Sequence, residues 1–205
     1  MNYTKLINYS NPKRFLDIGA HTGTFTQNVL SLAPGCEVIM VEANPNCEPY
    51  LQKLNRGYDI LALSNRQGTA ELFVEKINAT GTGASLYKEN TEWYSEGKFD
   101  KVEIQVDTLD NRKYFGYEVI DLVKIDTQGS ELDILLGGRK TITRSKYVLI
   151  EISVDEYNLK APLIDQIVPV MKEYGFYIED ILDYLRTSKT QITQMDLLFK
   201  NSYMF

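Results

Sequence analysis

The chain has 205 residues and a formal net charge of −6. Its 43% hydrophobic and 24% charged residues suit a globular domain with a sizeable core and exclude a disordered chain. The acidic balance repels phosphate backbones, so nucleic acid is a poor expectation for a substrate.

Two cysteines, Cys36 and Cys47, form neither a disulfide framework nor a metal-ligand cluster. The N-terminal stretch MNYTKLINYSNPKR lacks the apolar core of a signal peptide. No run of apolar residues reaches the length of a membrane span. A soluble, cytoplasmic protein is the expectation.

In chain order, residues 14–19 (RFLDIG) read as a short strand ending in glycine. Residues 22–34 carry Phe25, Val29, Leu30 and Ala33 at helical spacing, and Pro34-Gly35 ends that helix. Residues 36–44 form the second strand, and residues 45–55 a helix with an early proline. Residues 58–64 are a third strand, 65–68 a turn, and 69–76 an alternating strand beside it. Residues 77–100, rich in Gly, Thr and Glu and holding the only Trp, break the rhythm and suit a lid or a substrate loop. Residues 101–109 alternate and read as an edge strand. Residues 119–126 are apolar and branched, as a buried parallel strand requires. A helix over 128–143, a buried strand over 146–153 and a proline-containing helix over 162–175 follow. Strands 176–183 and 195–201 close the chain with only a polar loop between them, so they should pair antiparallel.

Strands alternating with helices predict an α/β, doubly wound, seven-stranded and mostly parallel sheet with an antiparallel last strand, as one domain over 1–205. In such a sheet ligands bind at the carboxyl ends of the strands, near the switch point. The first strand and its turn, FLDIGAHTGTFT (15–26), are the natural place. A dinucleotide fingerprint needs a third glycine that is absent after Gly19 and Gly23, and a phosphate loop needs a Gly-Lys-Ser/Thr ending that is also absent. What remains is Asp17-x-Gly19-x-x-x-Gly23, with Glu42 ending the second strand nineteen residues on. A carboxylate there suits the two hydroxyls of a ribose. Asp17 beside the turn favours a cationic ligand over a pyrophosphate. A ribose, a close backbone and a positive centre describe S-adenosylmethionine. The competing reading is an ordinary strand-to-helix turn with Glu42 as a solvated strand end.

The segments FLDIGAHTGTFT, VIMVEANPN, LALSNRQGTAELFV, VDTLDN, IDLVKIDTQGSELDILLGG, VLIEIS and MDLLFK cover nearly the whole chain. In these, and most specifically in VKIDTQGSE, the sequence resembles the FkbM-type family of class I S-adenosylmethionine-dependent methyltransferases. That family often carries Asn where this chain has His21, and Pro where it has Ala43. The resemblance implies a Rossmann-like sheet, S-adenosylmethionine as cofactor with S-adenosylhomocysteine as product, and O-methylation of a hydroxyl. It places Asp17, Gly19, Ala20, His21 and Gly23, with Thr24 and Phe25 beyond them, at the methionine end. Glu42 and Ala43 fall at the ribose, and Ala62, Leu63 and Ser64 at adenine. Asp126 borders the methyl donor.

Methyl transfer to a hydroxyl profits from a base or from a metal that acidifies the hydroxyl. Asp126 is the first candidate for base or orienting group, and could instead cap the following helix. Glu151, a carboxylate inside an apolar run, should face the site, because carboxylates are rarely buried unless paired. Lys124 either serves the site or forms a structural ion pair with Asp126 or Glu151. His21 matches proton transfer near neutral pH, or shapes the methionine pocket. Asp126 with Glu151 could hold a divalent cation such as Mg²⁺ or Mn²⁺. Gln128 and Glu131 are candidate substrate contacts, Glu131 also fitting a capping box. Tyr87, Trp93 and Tyr94 could stack on a sugar ring or pack over the sheet edge. Asp107 and Asp110 fit a turn better than catalysis.

Three functions stay open. They are O-methylation of a sugar or glycan acceptor, O-methylation of a polyketide or other small molecule, and a non-catalytic binding module on the same fold. No Asn/Asp-Pro-Pro-aromatic sequence follows the fourth core strand, and no cysteine stands there, which counts against methylation of bases. The oligomeric state is not readable from the sequence.

Overall fold

A computed structural model describes residues 1–87, 98–155, 161–186 and 191–204. The elements run α1 (Tyr3–Ser10), β1 (Arg14–Ile18), α2 (Thr24–Leu32), β2 (Glu37–Glu42), a 3-10 turn (Pro45–Cys47), α3 (Glu48–Gln52), β3 (Gly57–Ile60), β4 (Ala62–Ser64), β5 (Gly68–Glu75) and β6 (Phe99–Thr108). They continue with α4 (Leu109–Arg112), β7 (Ile120–Ile125), α5 (Glu131–Gly137), α6 (Arg139–Thr143), β8 (Ser145–Ser153), α7 (Ile164–Glu173), β9 (Phe176–Arg186) and β10 (Ile192–Asn201).

Seven strands form the main sheet in the order β3-β2-β1-β7-β8-β10-β9. The first five are parallel, and β10 enters antiparallel between β8 and β9. All six residues of β7 are buried, which accounts for its apolar character; its two charged residues, Asp121 and Lys124, are both paired. Side chains alternate across the sheet. Phe15 and Leu122 face Leu6 of α1, Val29 of α2 and Leu51 of α3. Leu16, Ile18, Val123 and Ile125 face Ile134, Ile142 and Ile167 from α5, α6 and α7. Helices therefore cover both faces, and the order reverses between β1 and β7.

Several boundaries depart from the sequence reading. The third strand is two strands. β3 ends at Ile60, the Leu61 amide donates to the Glu42 carbonyl at 2.9 Å, and β4 leaves to pair parallel with β6 in a second, three-stranded sheet. β3 is only partly buried and β4 wholly so, but Tyr58 to Ser64 run on with no turn residue between the two strands, so no local signal marks the change of sheet. β6 is the centre of that small sheet, with β4 and β5 on either side, not an edge. Its alternation arises because one face packs on Leu72 and Val74 while the other meets solvent. The helix expected over 128–143 is two, broken at Gly137-Gly138. A Cβ on Gly137 would lie 2.1 Å from the Ser64 carbonyl oxygen, so glycine lets α5 run against β4. α1, missed in the sequence, is capped by the Asn2 side chain, which accepts the Lys5 amide. Asp110 accepts the amides of Lys140 and Thr141 at the start of α6, and Asp107 binds Gln67 and Asn111 near the surface.

Cys36 and Cys47 are free and buried, and burial pushes both thiols up to about 12. Among the described residues no helix is long and apolar enough to cross a membrane.

Candidate functional site

A cavity of about 700 Å³ opens at the carboxyl ends of β1, β2, β7 and β8, beneath the segment that follows β5. That is ample for a nucleotide-sized cofactor and part of an acceptor.

The turn after β1 forms one wall. Gly19 has φ +76, and a Cβ there would lie 1.7 Å from the carbonyl oxygen of Asp126. The closest partner of this glycine is thus the neighbouring strand, which lets the ends of β1 and β7 meet. His21 also takes a left-handed backbone, φ +52, unusual for a residue with a side chain. Its amide donates to Glu42 Oε2 at 2.7 Å, and its ring Nε2 meets the Thr80 carbonyl oxygen. Glu42 Oε1 accepts the Asn44 amide at 2.7 Å. Burial raises the Glu42 carboxyl above its ordinary range, and the two backbone donors pull the other way. Each carboxylate oxygen has two acceptor sites, so the side chain is aimed and still able to accept.

On the other side of β1, Asp126 follows the last residue of β7. Lys124 Nζ lies beneath it, 3.2 Å from Asp126 Oδ2, 3.5 Å from Asp17 Oδ1 and 3.0 Å from the Gly19 carbonyl oxygen. Asp17 takes the Thr26 hydroxyl at 2.6 Å and is wholly buried. Burial works against the Lys124 charge, but Asp126 and Asp17 outweigh it and hold the amine above its ordinary value. Burial likewise pushes the Asp126 carboxyl up, and Lys124, Glu151 and Gln128 overcome that, leaving it below the usual range. Glu151, on β8, stands beside Asp126, close enough for the two carboxyls to act on each other. Burial first, and the Asp126 charge second, push it up to about 9. Asp126 is thus the carboxyl favoured in its charged form, and Glu151 the one pushed toward its neutral form. Gln128 Nε2 reaches both carboxyls, 3.2 Å from Asp126 Oδ1 and 2.7 Å from Glu151 Oε2. An amide donor thus bridges the pair considered for a metal. Among the described residues no group of three or more His, Cys, Asp or Glu side chains is arranged to hold an ion.

Of the residues singled out in the sequence, Gly19, His21, Glu42, Ala43, Ala62, Leu63, Asp126, Gln128 and Glu151 line the cavity. Asp17, Ala20, Gly23, Thr24, Phe25, Ser64, Lys124, Glu131 and Tyr87 do not, and each has a structural contact instead. Ala20 donates its amide to the Val41 carbonyl, and Gly23 packs against Leu54. Thr24 faces Thr22 near the surface. Phe25 packs on Phe15 and beneath Lys124, and Ser64 supports α5. Glu131 is the first residue of α5, too early for a capping box. Its carboxylate accepts the Thr127 and Gly129 amides and so braces the loop ahead of the helix. Tyr87 lies over Gly129 and donates to Asp133 at 3.3 Å. Trp93 and Tyr94 fall outside the described residues.

The cavity also draws on the segment expected as a lid or substrate loop and on residues that were not singled out. Asn78, Gly81, Thr82 and Ser85 come from the segment after β5, and Leu185, Thr193 and Gln194 from the far end of the β9-β10 hairpin. That segment is tied down by Asn44 Nδ2 to the Ala79 carbonyl at 2.7 Å and by the Ser85 hydroxyl to the Gln128 carbonyl at 2.7 Å. The small-residue run GTGAS was the one available hint.

A seven-stranded sheet with this order and reversed last strand, opening at the switch point, defines a class I methyltransferase fold. The family model described as "Methyltransferase FkbM domain" matches residues 17–178, and the chain belongs to that family. It is 27% identical over 163 residues to the 2-O-methyltransferase NoeI of Sinorhizobium fredii, a match covering 72% of this chain and 67% of that protein. The methyltransferase FkbM of Methylobacillus flagellatus KT superimposes with a TM-score of 0.55 at 15% identity, over 92% of this chain. This chain spans only 43% of that one. Aeropyrum pernix fibrillarin, solved with natively bound S-adenosyl-L-methionine, superimposes with a TM-score of 0.52 at 11% identity, over 91% of this chain and 66% of its own. These likenesses concern the fold.

Proposed function

We propose that the protein transfers a methyl group from S-adenosylmethionine to a hydroxyl of a sugar, at the end of a glycan or polysaccharide. One observation carries this reading. Glu42 and Asp126 face a single cavity from the ends of β2 and β7, one on each side of the glycine turn after β1.

The residues fit the cofactor. Glu42, aimed by two backbone amides, keeps acceptor sites for the ribose hydroxyls. Leu61, Ala62 and Leu63 give adenine an apolar wall, and Gly19 and His21 bring backbone to the methionine end. When bound, the sulfonium supplies an already activated methyl group, so the protein's task is mainly to place the acceptor oxygen.

Asp126 is suited to accept the hydrogen of that hydroxyl. An alkylated hydroxyl is strongly acidic, so a carboxylate held below its ordinary range still takes the proton, at an Asp126 carboxylate oxygen. Lys124 balances the Asp126 charge from below, and the neutral form favoured for Glu151 keeps a second negative charge away. The segment over residues 78–86 covers the cavity and helps exclude water.

Glu151, Thr193 and Gln194 offer several hydrogen-bonding groups in the lining, which supports a polyhydroxyl acceptor. The 2-O-methyltransferase relative supports oxygen as the methylated atom. Leu72, Leu86 and Phe99 in the same lining favour a second reading, a polyketide or other small-molecule hydroxyl.

The test is incubation with methyl-labelled S-adenosylmethionine and two acceptor panels, neutral oligosaccharides and hydroxylated polyketides. Label in a sugar methyl ether is the expected result. Label only in the polyketide panel overturns the sugar assignment, and label in neither overturns the proposed transfer.

A further inference from the structure

Resting on that methyl-transfer reading, we propose that Gln128 is a positioning residue: its side-chain amide yokes Asp126 to Glu151, and Ser85 anchors the backbone that carries it.

Gln128 stands at φ +57, a conformation that a residue with a side chain rarely adopts and that persists only where its surroundings impose it. The surroundings here are specific. Glu131 accepts the amides of Thr127 and Gly129 on either side of it, at 3.0 and 3.1 Å through Oε1. The Ser85 hydroxyl donates to the Gln128 carbonyl at 2.7 Å. Ser85 is itself buried, exchanges backbone bonds with Phe73 of β5, and accepts the Tyr87 amide at 2.9 Å through the same hydroxyl oxygen. A continuous set of bonds thus runs from the small sheet through Ser85 to the backbone of Gln128.

The side chain extends this set into the cavity. The amide nitrogen has two hydrogens, and two carboxyl groups lie within reach of it, at 3.2 Å on Asp126 and 2.7 Å on Glu151. The reverse orientation would set the amide oxygen against Asp126 and is disfavoured, so chemistry fixes which end faces the pair. Lys124 holds the other oxygen of Asp126. Asp126 is thereby gripped at both oxygens, and its plane is set before an acceptor arrives. None of these contacts requires Gln128 to touch the acceptor. An asparagine keeps the amide and tolerates the left-handed backbone, but one methylene shorter it loses the reach to span both carboxyls.

The experiment compares wild type with Gln128→Asn and Ser85→Ala, with Gln128→Ala as a second variant at the same position. The kinetic arm uses the sugar acceptor that the wild type methylates. In Gln128→Asn the expected result is a fall in kcat of about 10- to 100-fold. The acceptor KM and the S-adenosylhomocysteine Kd should each change less than about threefold. Ser85→Ala should give a smaller fall of the same kind. A loss carried by KM, or an unchanged kcat, makes Gln128 a substrate contact or a bystander and overturns the proposal. The second arm needs no turnover. Carbon-13 resonances of the Asp126 and Glu151 carboxyl groups, read in the free protein, should both be displaced in Gln128→Asn and Gln128→Ala. Unmoved resonances overturn the yoke, even if the wild type proves to methylate nothing.

Discussion

The carboxylate of Glu42 accepts the backbone amide of His21 at 2.7 Å, tying the end of β2 to the left-handed turn after β1. With the Asn44 amide on its other oxygen, Glu42 cannot swing, and its remaining acceptor sites are aimed at the cavity. In Glu42→Gln an NH₂ replaces one acceptor and opposes a backbone donor. The affinity for S-adenosylhomocysteine should fall about 10- to 100-fold, the worth of a charge-assisted hydrogen bond. Calorimetric titration of both proteins checks this.

Asp126→Asn keeps the shape of the site and removes the proton acceptor. Turnover should drop roughly 10²- to 10⁴-fold, with cofactor affinity close to that of the wild type. Asp17 and the Gly19 carbonyl still partner Lys124 in this variant. Single-turnover measurement of methyl transfer beside the same titration separates the two effects. Equal turnover would remove Asp126 from the chemistry.

The Glu151 carboxyl gives a pH signature in stability. It rises from an ordinary 4.5 to about 9 in the folded protein, so between those values the folded state keeps a proton that the unfolded chain releases. On this group's account, stability falls as pH rises through that window and is unaffected below it. Glu151→Gln stays neutral at every pH. Its Tm relative to the wild type should climb steadily from pH 4.5 to 9. A flat difference in melting scans across that range would contradict the raised value.

Gly19→Ala should fail structurally. Its Cβ would meet the Asp126 carbonyl oxygen at 1.7 Å, on a backbone with φ +76. The strain and the displaced β7 end should cost about 3 kcal/mol or more, read as a lower urea midpoint.

The main sheet was legible because its central strands are short, branched and apolar. RFLDI, VIMVE and LVKI announce buried parallel strands whatever surrounds them. Glu42 was legible because it sits at a fixed distance from the glycine turn. The change of sheet at Leu61 was not, since residues 58–64 read as one strand with no turn residue between the half-buried β3 and the buried β4. Glu131 looked like a site residue because sequence shows a carboxylate beside a loop but not which backbone amides it braces. Ser85 and Gln194 are held at the cavity by pairings remote in sequence, Ser85 with the Gln128 carbonyl and Gln194 opposite Ser153 of β8, and Thr193 comes with Gln194 on β10. No local pattern encodes such contacts.

Calorimetric titration of the wild type with S-adenosylhomocysteine, repeated on Glu42→Ala, tests the central claim most directly. Saturable binding with a micromolar Kd, lost or strongly weakened in the variant, is the predicted result. No binding to the wild type, or binding indifferent to Glu42, would contradict the assignment of this cavity to the methyl donor.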